Sequence, residues 1–401
     1  MSCQPCKKNS DEVSNLPAGS LYFHIPFCRE KCKYCDFFSL PAGKDCALNN
    51  SSMESYVKAA LLEFQMHRHE LAPKLETVFF GGGTPTVLGP ELLEMLLDAV
   101  APLVTSETEI SVEANPGAFS SQVAQVLAAG KVNRVNFGVQ SFNEQELKLL
   151  GRIHDASQAR DAIAVARQVG IQNVGLDLIY GIPGQTLESW KHSLDCATEL
   201  APSHLSCYAL SFEKGTPLGQ DLADGKIAAM DDDTQKACYE LAIETAAKQG
   251  LEHYEISNFA LSGKRCRHNM VYWQNRTYLG IGPAAASYIC AKRRTNLPDM
   301  QKYLQAINSG ASAPAEVEEL PLHKRMAETL MLALRMVAGV DLENFKNRFG
   351  MQAGDAFPNS LSRYTKQGAL IQTKTYLRLA KWAFFASDTI LADIIAENPA
   401  L

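Results

Sequence analysis

Nothing in this sequence favours a polyanionic partner: 38 Lys and Arg stand against 44 Asp and Glu, a net charge of -6. A chain that tracks phosphates carries the opposite balance, so no nucleic-acid partner is expected. Long apolar runs are missing too. No window approaches the ~18 apolar residues of a membrane span, and the opening MSCQPCKKNSDEVSNLPAGS has no apolar stretch of the kind a secretory signal needs. The expectation is a cytoplasmic protein with no integral membrane segment. Nor do the cysteines come in a number that pairs off: there are 11, spread along 401 residues, which argues against a disulfide scaffold. No internal repeat or low-complexity tract stands out.

What is present is an alternation of short apolar runs with helical patterns. LYFHIPF (21–27) reads as a buried strand and is followed by helical spacing over 51–71. TVFFG (77–81), EISVEAN (109–115), NRVNFGV (133–139), VGLDLIYG (174–181) and SHLSCYAL (203–210) repeat the signal, with helical patterns at 90–100, 120–129, 144–150, 155–169 and after Thr186. Six strand–helix units of this kind predict an α/β fold, a parallel sheet curled into a barrel or partial barrel, with an open doubly wound sheet as the alternative. In either case ligands gather at the carboxyl ends of the strands.

After residue 225 come a long helix (231–248), a strand (253–257) and a Gly- and aromatic-rich stretch (268–288) that closes the first domain. A linker at 309–314 leads to helices near 321–337, 342–349 and 355–367 and a hairpin across 370–380. The expected division is a polar tail (1–19), a barrel (20–225), a barrel-closing extension (226–308) and a small, mainly helical, winged-helix-like domain (309–401). Helices in that order suit DNA as well as a cap or partner module, and the acidic balance favours the latter.

The chemistry concentrates at Cys28-Arg-Glu-Lys-Cys32-Lys-Tyr-Cys35, where three thiols share one short loop after the first strand. Soft sulfur donors held so close suit an iron–sulfur cluster, leaving one iron of a 4Fe-4S cube without a protein ligand. The C-x3-C-x2-C spacing, with an aromatic before the last cysteine, resembles the radical S-adenosylmethionine superfamily. FHIPFCREKCKYCDFFS, GGGTPT (81–86), VEANP (112–116), NFGVQSF (136–142) and DLIYGIPGQT (177–186) are similar to its coproporphyrinogen dehydrogenase-like branch. HNMVYW (268–273) followed by YLGIGPAAASY (278–288) resembles the haem-chaperone group of that branch.

That resemblance implies a partial (βα)6 barrel in which Cys28, Cys32 and Cys35 hold the 4Fe-4S cluster and S-adenosylmethionine takes the open iron. Tyr22 and Tyr34 would flank the adenosylmethionine. Gly82, Gly83 and Thr84 would bring backbone amides to its methionine end, Glu113, Gln140 and Asp177 would meet its ammonium, hydroxyls and adenine, and Arg152 would pair with its carboxylate. Ala209 and Ala286 fill the remaining matching positions. The implied function is haem chaperoning, with haem bound and passed to an acceptor haemoprotein. The alternative is oxygen-independent oxidative decarboxylation of coproporphyrinogen III, against which Phe37 stands where those oxidases carry a further cysteine. Ala285 and Ala286 also replace the Gly-His that usually precedes the Ser of the closing motif.

His268, Asn269, Tyr272 and Trp273 offer an imidazole beside flat apolar walls, as haem needs. The same residues also suit a satisfied His-Asn turn packed on a core Trp. Cys266 is a competing iron donor. Arg293, Arg294 and Asn296 form a basic spot that fits haem propionates or a solvated loop, and Cys3-x-x-Cys6 resembles a small redox or metal pair in a polar tail.

Overall fold

The apolar runs become parallel strands because both of their faces are covered, which is why they read as near-continuous hydrophobic segments. A computed structural model describes residues 16–42 and 50–397. Its central strands are β1 (Ser20–Ile25), β2 (Thr77–Gly82), β3 (Glu109–Ala114), β4 (Arg134–Gln140), β5 (Asn173–Tyr180) and β6 (His204–Ala209), paired side by side in chain order. Helices α1 (Asn50–His67), α2 (Gly89–Val100), α3 (Ser121–Ala129), α4 (Glu144–Leu150), α5 (Ala156–Gln168) and α6 (Leu187–Glu199) connect them. Their starts are written in the sequence: Ser120 and Asn143 accept from first-turn amides, and Asp155 and Thr186 form reciprocal capping boxes with Gln158 and Ser189.

Leu21, Phe23 and Ile25 of β1 point towards the helices, where the Phe23 ring stacks 5.2 Å from Phe80 and 6.0 Å from Phe64. Each such buried side chain contributes about 2 kcal/mol of transfer free energy. Alternate residues face the other way, so Tyr22, Phe79, Ser111, Glu113, Arg134, Asn136 and Asp177 come into register around the inside of the sheet.

The sheet has nine strands rather than six. On one side β7 (Glu252–Glu255) and β8 (Asn258–Ala260) form an antiparallel hairpin against β6, so the expected strand over 253–257 is two strands with a turn between them. On the other side β9 (Leu279–Ile281) lies parallel to β1. The order is β9-β1-β2-β3-β4-β5-β6-β8-β7. Strands β9 and β7 are its two ends, which makes the barrel a partial one.

Before β9, α7 (Asp232–Lys248) packs on α6, and the short α8 (Arg267–Trp273) packs against β2. Three further strands, β10 (Ala286–Ile289), β11 (Lys292–Asn296) and β12 (Ala315–Glu319), form an antiparallel sheet. Its hydrogen bonds cross the division expected at 308/309. The buried carboxylate of Glu63 on α1 ties this extension to the barrel by accepting from Gly282 N (2.7 Å), Asn296 Nδ2 (2.8 Å) and the Tyr303 hydroxyl (2.8 Å).

The C-terminal segment places helix α9 (Leu322–Leu334) against α10 (Ser387–Ala396), beside a small sheet of Val340–Asp341, Tyr376–Leu379 and Leu370–Gln372. The expected helix over 355–367 is interrupted before Pro358, whose ring cannot donate a helical hydrogen bond. Likewise the helical pattern at 51–71 ends at His67 in a 3-10 turn.

Candidate functional site

A cavity of about 550 Å³ opens at the carboxyl ends of β1 to β6, within the roughly 300–1,000 Å³ range of small-molecule sites. Cys28, Cys32 and Cys35 line it together with Tyr34, Gly82, Gly83, Thr84, Glu113, Gln140, Arg152, Asp177 and Ala209. Residues from six chain segments therefore meet where the sequence expects them.

The cysteine loop is pinned on two sides. Lys33 N donates to Leu150 O (3.0 Å) at the end of α4, and Ala42 N donates to Cys28 O (2.7 Å) where the loop returns. Thr84 Oγ1 donates to Cys28 Sγ at 3.6 Å and Arg152 Nη1 to Cys32 Sγ at 3.2 Å. Burial pushes the Cys28 thiol up and the Cys35 thiol up to about 11, so a metal that binds as thiolate must displace protons there. Three partly buried cysteines facing one cavity, with no fourth Cys, His or Met among the described residues of its lining, are a donor set that fits a cluster with one open iron.

The glycines behind the loop are each required for a different reason. A Cβ on Gly81 would sit 2.8 Å from Glu113 Oε2, and one on Gly82, whose φ is +102°, would meet the His24 ring at 2.6 Å. A Cβ on Gly83 would lie 2.5 Å from Phe27 O. The amides of this turn are already engaged: Gly82 N donates to Glu113 Oε2 (3.2 Å), Gly83 N to Ile25 O (2.8 Å) and Thr84 N to Phe27 O (2.7 Å). They hold the turn to β1 and orient Glu113 rather than pointing free into the cavity, as the sequence reading had them.

Several polar atoms in the cavity wall and barrel interior are buried without a partner. They include Asn136 Oδ1, Asp177 Oδ1, Arg152 Nε and Trp273 Nε1. Each such atom costs about 1–3 kcal/mol unless a ligand or water meets it, so the wall is built for a polar guest. Burial, helped by the Asp177 charge and opposed by the Gly82 amide, raises Glu113 to about 8. Burial likewise raises Asp177 to about 6. Two buried carboxyls whose ionised forms the empty wall disfavours would both be relieved by a guest carrying a positive charge. Arg152, which also donates to Gly138 O, stays cationic between the thiols and the bulge at the end of β4. At that bulge Gln140 adopts φ +72°, a left-handed conformation that costs a non-glycine residue energy and turns its side chain towards the cavity.

Three expected residues lie outside the lining. The Tyr22 hydroxyl faces inwards but donates to His24 Nδ1 (3.1 Å), and Ala286 opens β10 with its carbonyl against Gly280. His268 is 1% exposed, and both of its ring nitrogens are occupied. Thr77 Oγ1 donates to Ser20 Oγ (2.9 Å), so it accepts from His268 Nδ1 (2.7 Å), and His268 Nε2 accepts from the Tyr272 hydroxyl (2.8 Å). Burial lowers the imidazole to about 3. It is a neutral core histidine, stacked 5.0 Å from Phe79, and does not present a free nitrogen to iron.

Asn269, Tyr272 and Trp273, by contrast, line the same cavity as Glu113 and Asp177. Helix α8 thus forms its floor, with its N-terminus held by Glu109, which accepts from Arg267 N (3.2 Å) and His268 N (3.1 Å). Arg335 stacks 4.9 Å over Trp273 from the C-terminal segment. Cys266 is buried beside Glu109, and burial raises its thiol to about 12. Arg293 pairs with Glu328 (2.8 Å), Arg294 with Glu70 (3.5 Å), and Asn296 bonds Glu63, so the expected basic spot is consumed inside the fold. Cys3 and Cys6 lie outside the described residues. Asn136 was missed by sequence reasoning: only its register beside Glu113 and its contact with Gly175 bring it to the wall.

Comparison with known proteins decides the family. Residues 22–197 match the radical SAM superfamily and residues 320–385 the HemN C-terminal domain. The heme chaperone HemW of Lactococcus lactis is 34% identical over 94% of this chain and 98% of its own length. The chain belongs to the HemW family. The heme chaperone HemW of Bacillus subtilis is 31% identical over 94% of this chain and 99% of its own. Among solved structures, the coproporphyrinogen III oxidase HemN of Escherichia coli superposes with a TM-score of 0.81, covering 95% of this chain and 91% of that one at 22% identity. HemN and this HemW-family chain therefore share the partial barrel and the C-terminal domain.

Proposed function

We propose that this protein is a haem chaperone that carries a 4Fe-4S cluster and S-adenosylmethionine and transfers haem to an acceptor haemoprotein. The observation that carries this reading is end-to-end similarity to proteins named heme chaperone HemW, over 94% of the chain, around a cavity suited to those cofactors. Cys28, Cys32 and Cys35 hold the cluster in this proposal. When bound, the cluster offers adenosylmethionine an iron that no protein side chain occupies. Glu113 and Asp177 neutralise the ligand's positive end, Arg152 binds its carboxylate, and Gln140 and Tyr34 contact the remainder. Asn136 and Trp273 supply an acceptor and a donor that the fold leaves unpaired.

No helix among the described residues is long and apolar enough to cross a membrane. Placement in the cytoplasm and the acceptor's identity belong to the proposal. The decisive experiment incubates anaerobically reconstituted protein with coproporphyrinogen III, adenosylmethionine and reductant, beside an active oxidase. Unchanged tetrapyrrole here, together with haem uptake and delivery to an apo-haemoprotein, supports the chaperone. Loss of carboxyl groups from the tetrapyrrole overturns it in favour of the oxidase.

A further inference from the structure

Helix α8 floors the cavity, and its far end is held from the C-terminal segment. Trp273, the last residue of α8, lines the cavity, and its indole Nε1 is buried without a hydrogen-bond partner. Such a donor costs free energy until a guest meets it, and it can serve one guest geometry only if the ring is kept from turning. The ring has a clamp. Arg335, which caps the end of α9, lays its guanidinium 4.9 Å from the centroid of the Trp273 ring, within the range of cation–π attraction.

The clamp is itself anchored to the barrel. Arg335 O accepts from Ile256 N (3.0 Å) and Val337 N donates to Tyr254 O (3.0 Å), so residues 335–337 run along β7. The Arg335 charge acts on Glu255 of that strand, whose carboxyl burial raises to about 7 while the Ser257 amide and Arg335 oppose the rise. Just beyond Trp273 the chain turns at the buried Asn275, with φ +47°, and Asn275 Nδ2 donates to Thr329 Oγ1 (3.0 Å) and Glu328 Oε2 (3.3 Å) on α9. None of the described residues after Trp273 lines the cavity, so what these contacts do to a ligand they do through α8.

We propose that Arg335 is a positioning residue for the ligand cavity: from the C-terminal segment it fixes the plane of the Trp273 indole so that Nε1 donates to adenosylmethionine, while Asn275 holds the end of α8 in place. This rests on the adenosylmethionine reading of the cavity above, and it assigns part of that site to a segment that does not line it. A planar cation over one face of the indole is lost if the ring swings about its side-chain bonds, which makes a fixed donor out of a mobile one.

The test titrates cluster-loaded full-length protein with adenosylmethionine by calorimetry, for wild type, Arg335→Met, Arg335→Lys, Trp273→Phe and the double variant of Arg335→Met with Trp273→Phe. Iron content and Tm are measured on every sample, and Arg335→Gln replaces Arg335→Met if that variant does not fold. Trp273→Phe keeps a flat ring and removes the donor. The expected result is that Trp273→Phe and Arg335→Met each weaken binding by about three- to tenfold, that the double variant binds no more weakly than Trp273→Phe alone, and that Arg335→Lys, which keeps a cation over the ring, recovers affinity lost in Arg335→Met. Wild-type affinity in Arg335→Met, or a double variant weakened by the product of the two single effects, overturns the positioning role. Wild type that carries its cluster and takes up no adenosylmethionine overturns the reading of the cavity instead.

Discussion

His268 Nε2 and the Tyr272 hydroxyl lie 2.8 Å apart, one helical turn from each other on α8, so the histidine fixes the aromatic ring that floors the cavity. The imidazole therefore acts on the site through Tyr272, as a positioning residue.

Replacing His268 with Ala is expected to destabilise the protein by about 2–4 kcal/mol, through a lost ring and two unmet hydroxyl partners. Thermal unfolding measures this. The pH dependence has a definite sign. The folded imidazole titrates at about 3, well below an unfolded histidine at about 6.5, so the unfolded chain binds the extra proton between those values. His268 thus draws stability down as pH falls from 6.5 towards 3. His268→Gln should flatten that part of the Tm-versus-pH curve.

Glu113 gives the opposite kind of pH effect, on binding. It titrates at about 8 in the free cavity, and a ligand ammonium favours the ionised form. Adenosylmethionine affinity should then fall by up to about tenfold per pH unit below 8, with a proton released on binding. Calorimetry in buffers of different ionisation heat reads both. Glu113→Gln should bind more weakly, keep its iron and lose the slope.

Cys32→Ser should lose cluster iron and its visible absorption after anaerobic reconstitution, since oxygen is a poor substitute for a thiolate at this iron. The fold itself should survive. Arg152 keeps its bond to Gly138 O in this variant.

The glycines separate space from flexibility. Gly83→Ala forces a methyl to 2.5 Å from Phe27 O and should dislodge the cysteine loop, lowering iron content. Gly81→Ala collides instead with Glu113 and Phe79, so it should weaken adenosylmethionine binding while iron is retained. Gly354, in a helical turn with nothing within 4 Å, is the control: Ala there should be neutral or stabilising by up to about 1 kcal/mol.

Much of this could be read from residues alone wherever the signal is local. The six parallel strands announce themselves by apolar runs, the helix starts by caps such as Asp155 and Thr186, and the cysteine loop by its spacing. The polar strand-end residues Glu113, Gln140, Arg152 and Asp177 do converge on one cavity. What the sequence hides depends on distant partners. Leu279–Ile281 is three residues long and becomes a strand only because β1 offers an open edge. His268 looks like a ligand until Thr77, 191 residues away, claims its second nitrogen. The hydrogen bonds between β11 and β12 cross a stretch that composition marks as a linker.

The late arrival of β9 has a bearing on synthesis. Strand β1, which leads into the cysteine loop, pairs with a segment 258 residues further along the chain, so on the ribosome it waits with one bare edge while most of the sheet assembles. Unpaired edges invite aggregation, and contacts so distant in sequence form slowly. A nascent chain stopped before residue 279 should thus be the form most in need of a folding helper, and cluster delivery before that point would meet a loop whose supporting strand is still half dressed.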